Sequence, residues 1–302
     1  MPSIAEKYNH ESLSSFLDSP SYDWCAEAGN KKGIIYSKMP KAASSTIAGI
    51  VTRIRLAYEK QSGKTCSSHT THLPIFEVAK RYPTRDRGNT FFFSSVRDPA
   101  SRAISRIYYD RHFALRSPER FVEVLKTYTN SEYGVVSRGR GGFQVPYLAL
   151  TTPKKDSFWN ETHPNQVMDP ASIHEVVGNI IQDYDFVVLT KRLDESLVIL
   201  QLLLGMETKD ILYNSSKEGG MFHMKHKKGK PRCFKTIKHP EKLWDEVEDH
   251  LKSAQWYSQS YGDYVLVEAV NQSIDLTIEA IGRERFELAL DKYKEMKKLV
   301  DK

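Results

Sequence analysis

Two short segments limit what this chain can fold into: Tyr36-Ser-Lys-Met-Pro-Lys-Ala-Ala-Ser-Ser-Thr46 and Phe93-Ser-Ser-Val-Arg-Asp-Pro-Ala-Ser-Arg-Ala-Ile-Ser105. Each ends a short apolar run and opens a helix-like stretch. Gly33–Ser37 and Thr90–Val96 therefore read as buried strands. In the first helix Ile47, Ile50, Val51, Ile54 and Tyr58 recur at helical spacing. The second helix starts at the proline of Asp98-Pro99, a residue suited to the first helical position. A strand that turns directly into a helix exposes backbone N–H groups at the helix N-terminus, where the dipole favours an anion. Both turns also carry small hydroxyl residues and a cation. Two such turns predict a ligand with phosphate at two places, a nucleotide more elaborate than a simple mono- or triphosphate.

The remaining pattern fits the same plan. Asp185–Thr190 reads as a third strand, and the helix after it carries Leu193, Leu197, Leu200 and Leu204 on one face. Another helix follows Ser117-Pro118, and the polar, Ser/Thr-rich stretch from Gln61 to Thr71 precedes a short helix after Pro74. Beyond residue 238 the chain reads as helical to its end, with Phe286, Leu290 and Tyr293 as one late stripe. Strands alternating with helices predict an α/β fold with a central, mostly parallel sheet flanked by helices and a helical C-terminus. The domain is expected to span residues 33–302. Residues 1–32 read as a polar leader, expected to pack over it through Phe16, Tyr22 and Trp24. Ligands of such sheets lie at the carboxyl ends of strands, where both turns fall. Ser131–Pro170 is rich in glycine, proline and aromatic residues and has no period, which suits a functional loop. Its Tyr133, Arg138, Arg140, Phe143 and Trp159 are candidates for shaping a substrate pocket.

Composition narrows the class. A chain of 302 residues can bury a substantial core, and no run of apolar residues is long enough for a membrane-spanning helix. The first residues lack a basic segment followed by an apolar run, so no secretory signal is expected. Cys25, Cys66 and Cys233 are widely spaced and odd in number, which argues against a disulfide framework and a cysteine-based zinc site and makes a reducing compartment the simplest expectation. Asn160-Glu-Thr162, Asn214-Ser-Ser216 and Asn271-Gln-Ser273 match the glycosylation sequon, a triplet common by chance. The net charge of +6 is concentrated: Ser215–Lys238 holds seven Lys and one Arg against one Glu. A general nucleic-acid binder spreads its cations over a wider face, so the cluster fits a local anion site, or a solvated loop, better.

The loop at Lys41 lacks the Gly-Lys-Ser/Thr ending of a Walker loop; here the lysine comes first and Ser44, Ser45 and Thr46 follow. This order resembles the 5′-phosphosulfate loop of sulfotransferases that use 3′-phosphoadenosine 5′-phosphosulfate (PAPS), Pro-Lys-Thr-Gly/Ala-Ser-Ser/Thr. Pro40, Lys41, Ala43, Ser44 and Ser45 sit on that pattern, and Ala42 replaces the usual threonine while keeping the backbone donor. The second segment is similar to the family's 3′-phosphate motif, with Arg97, Asp98 and Pro99 after an apolar strand and Ser105 eight residues beyond the arginine. Leu193–Leu200 and Asn271–Phe286 resemble stretches of galactose 3-O-sulfotransferases. The likeness spans residues 33–290, apart from 131–170.

The resemblance implies a P-loop-like domain and PAPS as co-substrate, with Lys38, Lys41, Ala42, Ala43, Ser44, Ser45, Thr46, Arg97, Ser105, Lys227 and Lys228 as nucleotide-binding residues. Lys41 would stabilise the leaving group. The basic loop with Lys225, His226, Lys227, Lys228 and Lys230 falls where the family closes over the nucleotide. In the related heparan sulfate 2-O-sulfotransferases a histidine between the two phosphate motifs is the base. Here that interval offers His69 and His72, and His72, directly before Leu73-Pro74, is preferred. The spacing differs from the relative's His-x-His, and no glutamate or third ligand supports a zinc pair. The chemistry requires no metal, and the acceptor would be a hydroxyl of a carbohydrate or a small polar metabolite. A cytoplasmic location is expected, with the Golgi lumen, where relatives are held by an N-terminal anchor, as the alternative. Competing readings are a P-loop kinase or nucleotidase, disfavoured by the missing Walker ending and magnesium aspartate, and a nucleotide- or glycan-binding module without catalysis.

Overall fold

The computed structural model describes residues 33–66, 68–71, 90–110, 117–128, 143–149, 170–214, 220–224, 234–238 and 243–301. The expected leader, the short helix after Pro74, and His72, Lys227 and Lys228 lie outside these residues, as do Tyr133, Arg138, Arg140 and Trp159.

Strand β1 (Gly33–Ser37) leads through a tight turn into helix α1 (Ser44–Ser62), and β2 (Ser68–Thr71) follows. Next come β3 (Thr90–Val96), α2 (Pro99–Asp110), α3 (Pro118–Tyr128), the short α4 (Gln144–Leu148) and α5 (Pro170–Asp183). Strand β4 (Phe186–Leu189) runs through a 3-10 turn into α6 (Leu193–Leu203), followed by α7 (Thr208–Ile211). A hairpin of β5 (Gly220–Met224) and β6 (Phe234–Lys238) precedes α8 (Asp245–Lys252), α9 (Ala254–Ile281) and α10 (Arg283–Val300).

Among the described residues the central sheet has four parallel strands in the order β2-β1-β3-β4. Every residue of β1, β3 and β4 is buried, as a parallel sheet covered on both faces requires. From the central pair the chain moves in opposite directions, β1 to β2 on one side and β3 to β4 on the other. The β1/β3 boundary is therefore a topological switch point, where the crevice at the carboxyl ends admits a ligand.

The helices bury the predicted stripes. Ile47, Ile50, Val51 and Ile54 of α1, Leu197 and Leu200 of α6 with Leu204 just beyond, and Phe286, Leu290 and Tyr293 of α10 join one core with the sheet and α9. A second cluster gathers Ile107, Phe121, Leu125, Val247 and Trp256. Among the described residues no helix is long and apolar enough to cross a membrane.

Four expectations change. The polar stretch before Thr71 contains β2, a strand whose backbone ladder with β1 needs no apolar alternation. The 131–170 region holds α4, whose five residues are all buried; Phe143 before it is core, with Arg102 stacked 4.0 Å above its ring, and so does not line an open pocket. The basic segment is framed by an antiparallel hairpin. Cys66 is buried and disulfide-bonded, contrary to the expectation of reduced cysteines. Thiol titration of the denatured protein is expected to find one free thiol without reductant and all three after reduction; three throughout contradicts the cross-link.

The two stretches likened to galactose 3-O-sulfotransferases meet in space. Arg192 donates to Asn271 Oδ1 (3.0 Å) and Asp275 (2.6 Å), and also to Glu195, fixing the start of α6 to α9. Asn271 thus lies inside a helix with its side-chain carbonyl engaged, which gives that sequon a packing role. Nearby, Asp194 accepts from Lys297 (2.9 and 3.0 Å), Tyr213 (3.0 Å) and Tyr293 (3.2 Å), clamping α10 to the body.

One buried titratable group gives a pH dependence. His250 of α8 is buried edge-on to Trp256, and its Nε2 has no partner among the described residues. Burial, then the charge of Lys126, holds its pKa below the ordinary histidine value. The unfolded chain binds the proton more readily, so this histidine's contribution is complete above the ordinary pKa and shrinks as pH falls from there towards the depressed one. The expected result is a smaller loss of melting temperature on acidification from neutral to mildly acidic pH in His250→Phe than in the wild type; equal losses contradict it.

Candidate functional site

The site is built where β1 and β3 end side by side, with Tyr36 paired to Phe93 and Ser37 to Ser94. The chain leaving β1 must reverse into α1 within a few residues. It does so with Lys41 at φ 67° and Ala43 at φ 56°, left-handed conformations unusual for residues with a side chain. Left-handed residues in a tight turn point successive N–H groups to one side, forming an anion-binding nest. Ala43 occupies the N-cap of α1 and has no side-chain oxygen with which to cap the helix. The geometry of an α-helix leaves its first N–H groups without internal acceptors. The Ala42 N–H closes the turn onto the Met39 carbonyl at 3.4 Å, and Ala42 is fully buried, so this position shapes the loop from beneath. Ser44 is buried, Ser45 exposed and Thr46 half-buried.

Such a backbone stores strain that its surroundings must hold. Ser95 donates to the Ala42 carbonyl (2.8 Å) and bonds the Tyr36 hydroxyl (2.8 Å), Ser94 donates to the Ser37 carbonyl (2.7 Å), and Tyr147 donates to the Lys38 carbonyl (3.1 Å). Replacing Ala43 tests the strain. Ala43→Val, β-branched at positive φ, is expected to lose ~1–3 kcal/mol of stability in a melt. Ala43→Gly is expected to gain about 1 kcal/mol. Equal stability of the two variants contradicts the assigned conformation.

At the end of β3, Asp98 caps α2: its Oδ1 accepts from Ser101 N (2.8 Å), its carbonyl from Arg102 N (2.9 Å), and Pro99 takes the position that needs no N–H. Arg97, just before the cap, is half-buried, and its Nη1 donates to the Lys41 carbonyl at 3.3 Å. The two segments separated in sequence are therefore in contact. Ser105 lies buried on α2 between Arg102 and Arg106, themselves buried. Burial pulls Arg97 below the usual arginine pKa, with Asp98 opposing and Arg102 adding to the shift; burial does the same to Lys38. This concentration of partly desolvated cations favours an anionic ligand.

His69 belongs to β2, its backbone in register with Ile35, two residues short of the carboxyl end of β1. Among the described residues no three potential metal ligands gather. Ser94, Ser95, Gln144, Tyr147 and Asp263 were not anticipated from sequence. The adjacent serines inside the apolar run Thr90–Val96 were a readable signal, because buried hydroxyls need partners. Gln144 and Asp263 carried no local signal; their partners lie far along the chain.

Compared with known proteins, the chain matches no family model and no curated sequence.

Proposed function

We propose that this chain is a sulfotransferase of P-loop-like architecture that moves a sulfuryl group from PAPS to a hydroxyl of a carbohydrate or a small polar metabolite. The observation that carries the reading is the contact of Arg97 with the Lys41 carbonyl across the switch point, which joins two anion-favouring turns into one site. PAPS carries anionic groups at the 5′ and 3′ positions of one ribose. The turn of Lys38, Lys41, Ala42, Ala43, Ser44, Ser45 and Thr46 would hold the 5′-phosphosulfate, and Arg97 with Ser105 the 3′-phosphate. The half-buried cations Arg97 and Lys38 beside the two turns support both assignments.

In this reading Lys41 stabilises charge on the departing phosphate oxygen. His72 or His69 takes the proton of the acceptor hydroxyl, a task suited to a group that titrates near neutrality. Of the two, His69 lies on β2, the strand that borders β1. Lys227 and Lys228, between β5 and β6, add positive charge over the nucleotide. Side chains replace the magnesium a kinase would use. The Cys66 disulfide favours the Golgi lumen over the cytoplasm as the working compartment, since disulfides persist under oxidising conditions.

The test is transfer of labelled sulfuryl from PAPS to a panel of carbohydrate and small hydroxyl acceptors. Acceptor-dependent labelling is expected. PAPS bound with no transfer to any acceptor favours a binding module instead.

A further inference from the structure

Helix α4 is too short to stand alone, since an isolated helical turn does not offset its ordering entropy. It is held from outside by a buried acid. Asp263 of α9 is 2 % exposed and accepts from the backbone N–H groups of Phe143 (2.9 Å), Gln144 (2.7 Å) and Val145 (3.1 Å). Burial raises its pKa, against the pull of Arg102 and these three donors. A carboxylate is costly to bury, and here it fixes one turn of backbone at a chosen place.

What that turn presents is specific. The fully buried Gln144 side chain accepts from the Arg97 N–H (2.9 Å) and donates to the Arg97 carbonyl (2.8 Å), gripping both backbone polar groups of the residue that leaves β3. One helical turn on, the Tyr147 hydroxyl donates to the Lys38 carbonyl (3.1 Å), at the start of the other turn. A single rigid element thus touches both anion-favouring turns, one through each side chain.

The geometry points to α4 as the spacer that sets the separation of the two turns, with Gln144 and Tyr147 as positioning residues that match the site to a ligand phosphorylated at two places. This rests on the proposed nucleotide site and deepens it. A ligand anchored at one turn needs only that turn intact. A ligand anchored at both gains from their fixed spacing, because the second contact is then made without further ordering.

The experiment compares binding of 3′,5′-adenosine bisphosphate, 5′-AMP and 3′-AMP to the wild type, Tyr147→Phe and Gln144→Met, with melting curves to confirm folding. In Tyr147→Phe the bisphosphate is expected to weaken by about tenfold while each monophosphate stays within about threefold, a hydrogen-bond-sized loss confined to the two-point ligand. Gln144→Met is expected to behave likewise with a larger loss. Tyr147→Phe alone decides the matter if Gln144→Met does not fold. A parallel loss for all three ligands, as a merely structural role would give, overturns the spacer, and so does no loss for any. A wild type that binds the bisphosphate no better than the monophosphates overturns the nucleotide site itself.

Discussion

Lys41→Ala is expected to lower sulfuryl transfer by roughly a thousandfold while weakening 3′,5′-adenosine bisphosphate far less. Lys41 sits in the left-handed region, on the loop that Ser95 and Tyr147 hold at the head of α1. Alanine suffers the same strain there, so the loop and its N–H groups remain. Only the cation is lost. On the proposed function, the donor's 5′ charge would also be met in the ground state by the turn's N–H groups and the helix dipole, which limits the expected effect on binding. In the transition state, charge grows on the leaving oxygen, and a donor aimed at developing charge contributes ~3–4 kcal/mol. Lys41→Arg restores the charge but not its position and should recover part of the rate. Turnover within tenfold of wild type in Lys41→Ala removes the lysine from the chemistry.

Arg97→Ala is expected to act on binding instead. Loss of a charge-assisted, two-pronged contact to the 3′-phosphate should weaken the bisphosphate about 100-fold, roughly 2.7 kcal/mol, and leave 5′-AMP nearly unchanged. Arg97 also donates to the Lys41 carbonyl, a contact whose loss is expected to cost folding stability rather than binding at the 5′ turn. A modest drop in melting temperature should therefore accompany it. Unchanged bisphosphate affinity, measured by calorimetry, contradicts the assignment of the 3′ site.

These effects follow from features legible in the sequence to different degrees. The strands at Gly33–Ser37 and Thr90–Val96 and the helix beginning at Pro99 stand where the apolar runs and the Asp-Pro cap indicate, because local pattern and tertiary burial agree there. The third strand begins one residue later than its pattern, at Phe186. Asp185 extends the ladder instead, giving its N–H to the Phe92 carbonyl (2.8 Å) and accepting the Phe92 N–H on its carboxylate (2.7 Å). Strand β2 escaped notice because an edge strand stabilised by backbone pairing needs no apolar signature. Helix α4 escaped because its stability comes from Asp263, 119 residues away from Gln144, and no local window contains that information. The same holds for Cys66: an odd cysteine count says little about whether any two meet. The candidate turns were visible as motifs, whereas the parts that hold them together were visible only in three dimensions.

The central claim is that two turns at one switch point hold a single adenosine ligand phosphorylated at both ends of its ribose. Calorimetric titration of the wild-type protein with 3′,5′-adenosine bisphosphate, ADP and ATP, each with and without magnesium, tests it most directly. The account predicts that the bisphosphate binds at least about tenfold more tightly than ADP and without need of magnesium. A preference for ATP that depends on magnesium, or equal affinity for ADP and the bisphosphate, would contradict it.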